Sequence, residues 1–87
     1  MRKLDEKREV LYVIRAMDVL MSSGIGLEAT VHSISQGGYG IISEDFKDMM
    51  DKVRKGGRPL AKEIKALMGK VETEGYRRLL NIMHMNI

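Results

Sequence analysis

Residues 22–31 read SSGIGLEATV and residues 55–64 read KGGRPLAKEI. Both follow an apolar run with helical spacing, break at glycine and restart on leucine. With Gly24 set on Gly57, Leu27 falls on Leu60 and Val31 on Ile64. A helix interior does not tolerate such breaks cheaply, and glycine is the residue that closes a helix in the left-handed conformation. The two stretches therefore predict one helix-to-helix corner used twice, and with it a chain built of helices.

Working outward, the first helix is expected from about Lys3 to Ser22. Val10, Val13, Ile14, Met17, Leu20 and Met21 fall within about a third of its circumference, a core-facing stripe. A second helix runs from about Leu27 to Gln36, with Leu27, Val31 and Ile34 on one face, and GGYG (37–40) ends it. Ser43 is the expected N-cap of a third helix, with Glu44, Asp45 and Asp48 near its start and Lys52, Arg54 and Lys55 near its end. That order of charge suits the helix dipole. Phe46, Met49, Met50 and Val53 form its apolar stripe. Pro59 is expected to pre-set the first turn of a fourth helix that carries Leu60, Ile64, Leu67 and Met68 to about Lys70. A fifth starts near Thr73 and places Tyr76, Leu79, Leu80, Met83 and Ile87 on one side. The pattern stops there on an apolar residue, as expected of a piece of a longer protein.

Short connections between such helices favour a compact antiparallel bundle, an all-α domain over residues 1–87. Composition agrees: 44% of the 87 residues are hydrophobic and 31% charged, within the range of folded globular chains. With four aromatics and eight methionines, the gaps between helices are filled by flexible side chains. Met17, Met21, Met49, Met50, Met68 and Met83 all lie on the expected core stripes. There is no cysteine, hence no disulfide framework and no thiolate chemistry. The longest apolar run, VLYVI (10–14), is far short of the roughly 20 residues a membrane span needs. The charged N-terminus has no signal-peptide core.

Motifs that carry chemistry are scarce. GIGLEA (24–29) fits the dinucleotide fingerprint, but that motif works only after a strand, and the residues before it have helical spacing. His32 and His84 are isolated, with no second ligand at metal-site spacing. The acid pairs Glu44/Asp45 and Glu72/Glu74 sit at helix starts, where the dipole explains them. No triad surrounds any serine. The expectation is a protein that is not an enzyme and holds no cofactor or metal. The feature left over is a basic cluster, Lys52, Arg54, Lys55 and Arg58, crowded at the GG corner with Asp51. It is the candidate partner-binding site, while Gly24, Leu27, Gly57 and Leu60 are structural.

Residues 2–34, RKLDEKREVLYVIRAMDVLMSSGIGLEATVHSI, resemble the opening of the type II secretion system F domain, with Leu20, Ser23, Gly24, Ile25, Gly26, Leu27, Glu28 and Ala29 on that family's motif. GGRPLAKEIKAL (56–67) is similar to its second glycine element, and YRRLLNIM (76–83) to its closing helix. The resemblance implies a cytoplasmic helical bundle of an inner-membrane platform protein of type II secretion, type IV pilus or archaellum machines. It further implies a non-enzymatic docking role. The partners would be the assembly ATPase, other platform subunits including copies of itself, and the membrane through flanking segments. The rival reading is a small helix-turn-helix nucleic-acid-binding domain. It suffers because residues 27–36, the would-be recognition helix, contain no Lys or Arg, and phosphate contacts normally dominate DNA affinity. No nucleic acid is therefore expected among the partners.

Overall fold

The computed structural model describes residues 2–86, with the side chains of residues 5 and 7–86. Five α-helices follow in order: α1 Arg2–Ser22, α2 Leu27–Gln36, α3 Ile41–Arg54, α4 Leu60–Met68 and α5 Glu74–Met85. No strand occurs among the described residues. Each helix packs on its chain neighbour, except that α1 also meets α3 and α5, so α2, α3, α4 and α5 form a ring closed by α1. The core is made by Val10, Val13 and Met17 of α1, Val31 and Ile34 of α2, Phe46, Met49 and Met50 of α3, Ile64 of α4, and Tyr76, Leu80 and Met83 of α5. The expected fifth-helix residue Ile87 lies outside the described residues.

Both quoted stretches are corners. Gly24 has φ +90° and Gly57 φ +66°, in the region that a side chain disfavours. Three residues later Leu27 and Leu60 open the next helix, each preceded by an extended residue, Gly26 and Pro59. The closures differ in width. At the first, the Gly24 N–H donates to the Met21 carbonyl (3.1 Å) and the Ile25 N–H to that of Leu20 (3.3 Å), the two bonds of a Schellman motif. At the second, the Gly56 N–H (3.1 Å) and the Arg58 N–H (3.3 Å) both reach the Lys52 carbonyl, so the loop is one residue wider.

Four expectations need correction. Helix α3 begins at Ile41, two residues before the expected cap, and Ser43 is instead a buried crosslink. Its Oγ accepts from the Tyr39 N–H (2.8 Å) and donates to the Ile34 carbonyl (2.7 Å), tying the end of α2 to α3. Pro59 stands just before the first turn of α4, as the cap residue, and α4 closes at Met68 rather than Lys70. On α1, Ile14 is 43% and Met21 37% exposed, because α1 carries a wider apolar arc than its neighbours cover. The methionines divide in the same way: Met17, Met49, Met50 and Met83 are buried and Met68 is partly buried, whereas Met21 is not.

One contact is invisible in the local sequence. Gly40, at φ +87° and ψ −127°, precedes α3 without a side-chain cap of its own. The carboxylate of Glu9, 33 positions away on α1, accepts from the Ile42 N–H at 2.9 Å. A carboxylate at a helix N-terminus satisfies a donor that the helix itself cannot, and it opposes the positive end of the dipole. The other loop is held by Arg77, whose guanidinium donates to the Val71 carbonyl (3.0 Å) and to Glu74 (2.7 Å).

Candidate functional site

The basic cluster sits where the end of α3 turns into α4. It is less free than its composition suggests, since three of its four members have acidic partners. Lys52 pairs with Asp48 at 3.2 Å and Lys55 approaches Asp51 at 4.0 Å, each one helical turn away. Arg58 lies 3.7 Å from Glu63, a carboxylate with only 7% exposure. Arg54 alone of the four makes no ion pair with another described residue. Two of the cations are thus paired to acids one turn back on the same helix, although exposed pairs of this kind contribute only about 0–1 kcal/mol.

The fold adds two cations that the linear reading leaves out. Lys62 and Lys65, both on α4, stand beside Arg58, which lies in the corner before that helix. Both lysines are exposed and make no ion pair with a described residue. With Gly57, Pro59, Glu63 and Ala66 they line an open hollow of about 580 Å³. The resulting basic edge consists of Arg54, Lys55, Arg58, Lys62 and Lys65, carried on two helices and a glycine corner. The pair 62 and 65 on one helix, directly after the corner that carries Arg58, is the signal that could have found it.

The structural residues stand at the corners as expected, with one difference of degree. No heavy atom lies within 4 Å of a Cβ built on Gly24 or Gly57, so the demand for glycine there is conformational, not steric. Leu27 and Leu60 pack against the core but remain partly exposed. They are edge anchors of their helices.

A second surface lies elsewhere. Between α1 and α5 runs an apolar groove of about 420 Å³, walled by Leu11, Ile14 and Met21 on one side and Leu79, Ile82 and Met83 on the other. Leu11 is 67% and Ile82 53% exposed. Asp18 and Arg78 are the charged side chains on its walls. Helix α5 stands between this groove and α4, so the groove and the basic edge are distinct surfaces.

His32 and His84 are half-buried on different helices, α2 and α5. Among the described residues no three His, Cys, Asp or Glu side chains gather as a metal site would need. GIGLEA follows α1, a helix, and forms the first corner. No described helix is long and apolar enough to cross a membrane.

Set against protein-family models, curated proteins and solved structures, the chain matches none of them. Its class is therefore defined by its own fold, an all-α bundle of five helices that presents one basic edge and one apolar groove.

Proposed function

We propose that this bundle is a docking domain without catalytic activity, the cytoplasmic part of an inner-membrane platform protein in a type II secretion, type IV pilus or archaellum-like machine. In this reading its basic edge receives the assembly ATPase, and flanking segments tie the platform to the membrane. The carrying observation is the edge: Arg58, Lys62 and Lys65 line one open hollow, Arg54 and Lys55 lie at the end of α3 just before it in the chain, and Arg54, Lys62 and Lys65 make no ion pair with another described residue. Apart from Arg58, which faces the buried Glu63 carboxylate, these charges take no part in the core, since the apolar stripes of α3 and α4 point into it. They do raise the rate at which an acidic surface finds the domain, and they select against basic ones. The setting rests on the resemblance of residues 2–34, 56–67 and 76–83 to the secretion F domain.

The test is a binding titration against the assembly ATPase, with the unmodified domain and a variant carrying Arg54→Glu, Lys62→Glu and Lys65→Glu. Reversal should weaken binding at least about tenfold at low salt. The association rate of the unmodified domain should drop as salt rises, because exposed charges are screened over about 10 Å at 0.1 M. Lys52→Glu, which removes a cation already paired to Asp48, should change little by comparison. Equal affinities for two folded proteins would refute the assignment of the basic edge.

A further inference from the structure

Glu63 is a charged side chain in a buried position, directly behind the basic edge. We propose that it makes α4 a latch. With Arg58 on Glu63 the helix is held to the bundle; an acidic partner that takes Arg58 leaves Glu63 buried without a counter-ion, and α4 opens. The proposal rests on the reading of the edge as a docking site and adds what docking does to the domain.

Three observations carry it. The first is the setting of the carboxylate. Glu63 is 7% exposed, and its ion pair with a described residue is the one to Arg58 at 3.7 Å. The carboxylate accepts no hydrogen bond from another described residue. Lys52 and Lys70 line the crevice between α3 and α4 that Glu63 also faces, but Lys52 is paired to Asp48 and neither lysine pairs with Glu63. Taking away one partner of a buried pair destabilises strongly, because the charge left behind stays out of water. The second observation is that Arg58 faces two ways. Its side chain is 66% exposed, and it lines the same open hollow as Lys62 and Lys65. The counter-ion of Glu63 is therefore also a cation offered to an acidic partner. A partner's carboxylate that hydrogen-bonds the guanidinium closes to about 2.7–2.9 Å, nearer than Glu63 stands, and draws it toward the hollow.

The third observation is how little else holds α4. It has nine residues, fewer than any other described helix. Ile64 is its one buried apolar residue, while Leu60, Leu67 and Met68 are only partly covered. Its N-cap, Pro59, makes no side-chain cap bond. A helix this short does not persist without its packing, and segments with few buried contacts open first. When Glu63 loses Arg58, α4 is thus the element that yields, unfolding locally while α1, α2 and α3 keep their shared core.

Amide hydrogen exchange on the full chain tests this, read at residues 64–68 of α4 against α1, α2 and α3. Arg58→Ala should speed exchange in α4 about tenfold or more and leave those three helices unchanged, as when a buried charge loses its partner. Glu63→Met removes the charge and keeps the bulk, so α4 should exchange no faster than in the parent. In that background Arg58→Ala should change the rate by less than about twofold, the non-additivity of residues in contact. If the methionine variant unfolds, Glu63→Gln takes its place. A polyglutamate peptide at low salt then supplies the acidic partner. Bound, it should speed α4 exchange about threefold or more in the parent and not in Glu63→Met, because only a differential interaction shifts the opening. An Arg58→Ala variant with parental α4 exchange overturns the proposal, as does an effect that persists unchanged beside Glu63→Met. A peptide that binds the edge yet leaves or slows α4 exchange overturns the latch and spares the docking reading. A peptide that fails to bind overturns the docking reading, and the coupling with it.

Discussion

Replacing Glu9 with alanine should destabilise the domain through a helix it does not belong to. Its carboxylate accepts from the Ile42 N–H at 2.9 Å, and Ile42 is fully buried, so water does not readily replace the lost acceptor. A charge-assisted hydrogen bond contributes about 1.5–3 kcal/mol net, and a buried amide left without a partner costs about 1–3 kcal/mol. Glu9 itself is only half-buried, which lowers the figure, and substitutions of N-terminal caps cost about 0.5–2 kcal/mol in general. The expected loss is therefore about 1–2 kcal/mol, at about 4–8 °C of melting temperature per kcal/mol for a domain of this size. Glu9→Gln keeps an acceptor and removes the charge, so it should lose about half as much, in line with the weaker neutral bond.

Gly40 supplies the second half of the experiment. Its φ of +87° with ψ −127° strains any side chain, and a Cβ there would stand 2.5 Å from Oε2 of Glu9. Gly40→Ala should thus cost about 1–3 kcal/mol in backbone strain and also push the carboxylate off its amide. In that background Glu9→Ala should cost at least about 0.5 kcal/mol less than it does alone, the non-additivity of groups in contact. Urea unfolding followed by circular dichroism measures the energies, and hydrogen exchange at the Ile42 amide reports the cap locally. A Glu9→Ala variant within about 0.3 kcal/mol of the parent, or a glutamine no better than alanine, would refute the capping argument.

Two further outcomes follow from the corners. Gly24→Val and Gly57→Val should each lower stability by about 1–2 kcal/mol, the cost of a left-handed residue with a Cβ; unchanged melting would mean that the glycine is not held at positive φ. Because the space beside both glycines is open, alanine should recover part of that loss and no steric term should add to it. Leu27→Ala and Leu60→Ala should cost about 1–2.5 kcal/mol, below the 2–5 kcal/mol typical of fully buried leucine, since both side chains keep some exposure. A loss above about 3 kcal/mol in thermal or urea unfolding would show that they are core residues after all.

The corners were legible because glycine, an apolar period and leucine all act within ten residues of each other. Ends governed by local chemistry, at Ser22, Leu27 and Gln36, fall where the sequence places them. The start of α3 does not. Ser43 is a good cap by type, but the helix starts two residues earlier and the Ile42 amide is served by Glu9 across 33 positions. Ser43 is thereby released to join Tyr39 and Ile34. Long-range satisfaction of a helix end leaves no periodic trace. The basic edge was legible in part. Arg54, Lys55 and Arg58 fall within five residues and announce themselves, whereas Lys62 and Lys65 join Arg58 only through the turn of α4. The acids that screen the cluster also lie on helical, not adjacent, spacings.

The groove illustrates the deeper limit. A period of 3.6 gives the width of an apolar arc, not the part of it that a neighbour covers. On α1, Ile14 and Met21 are indistinguishable by spacing from Val13 and Met17, yet the first pair is 43% and 37% exposed and the second 0% and 5%. The difference is decided by the helices packed on α1, which cover one side of its arc and leave the other as a wall of the groove with α5. On α5, Ile82 lies beside Met83 and is 53% exposed against 2%, so both helices turn spare apolar surface toward the same trough. Two arcs that overrun the core at one seam leave their surplus there as exposed apolar surface, flanked by Asp18 on one helix and Arg78 on the other.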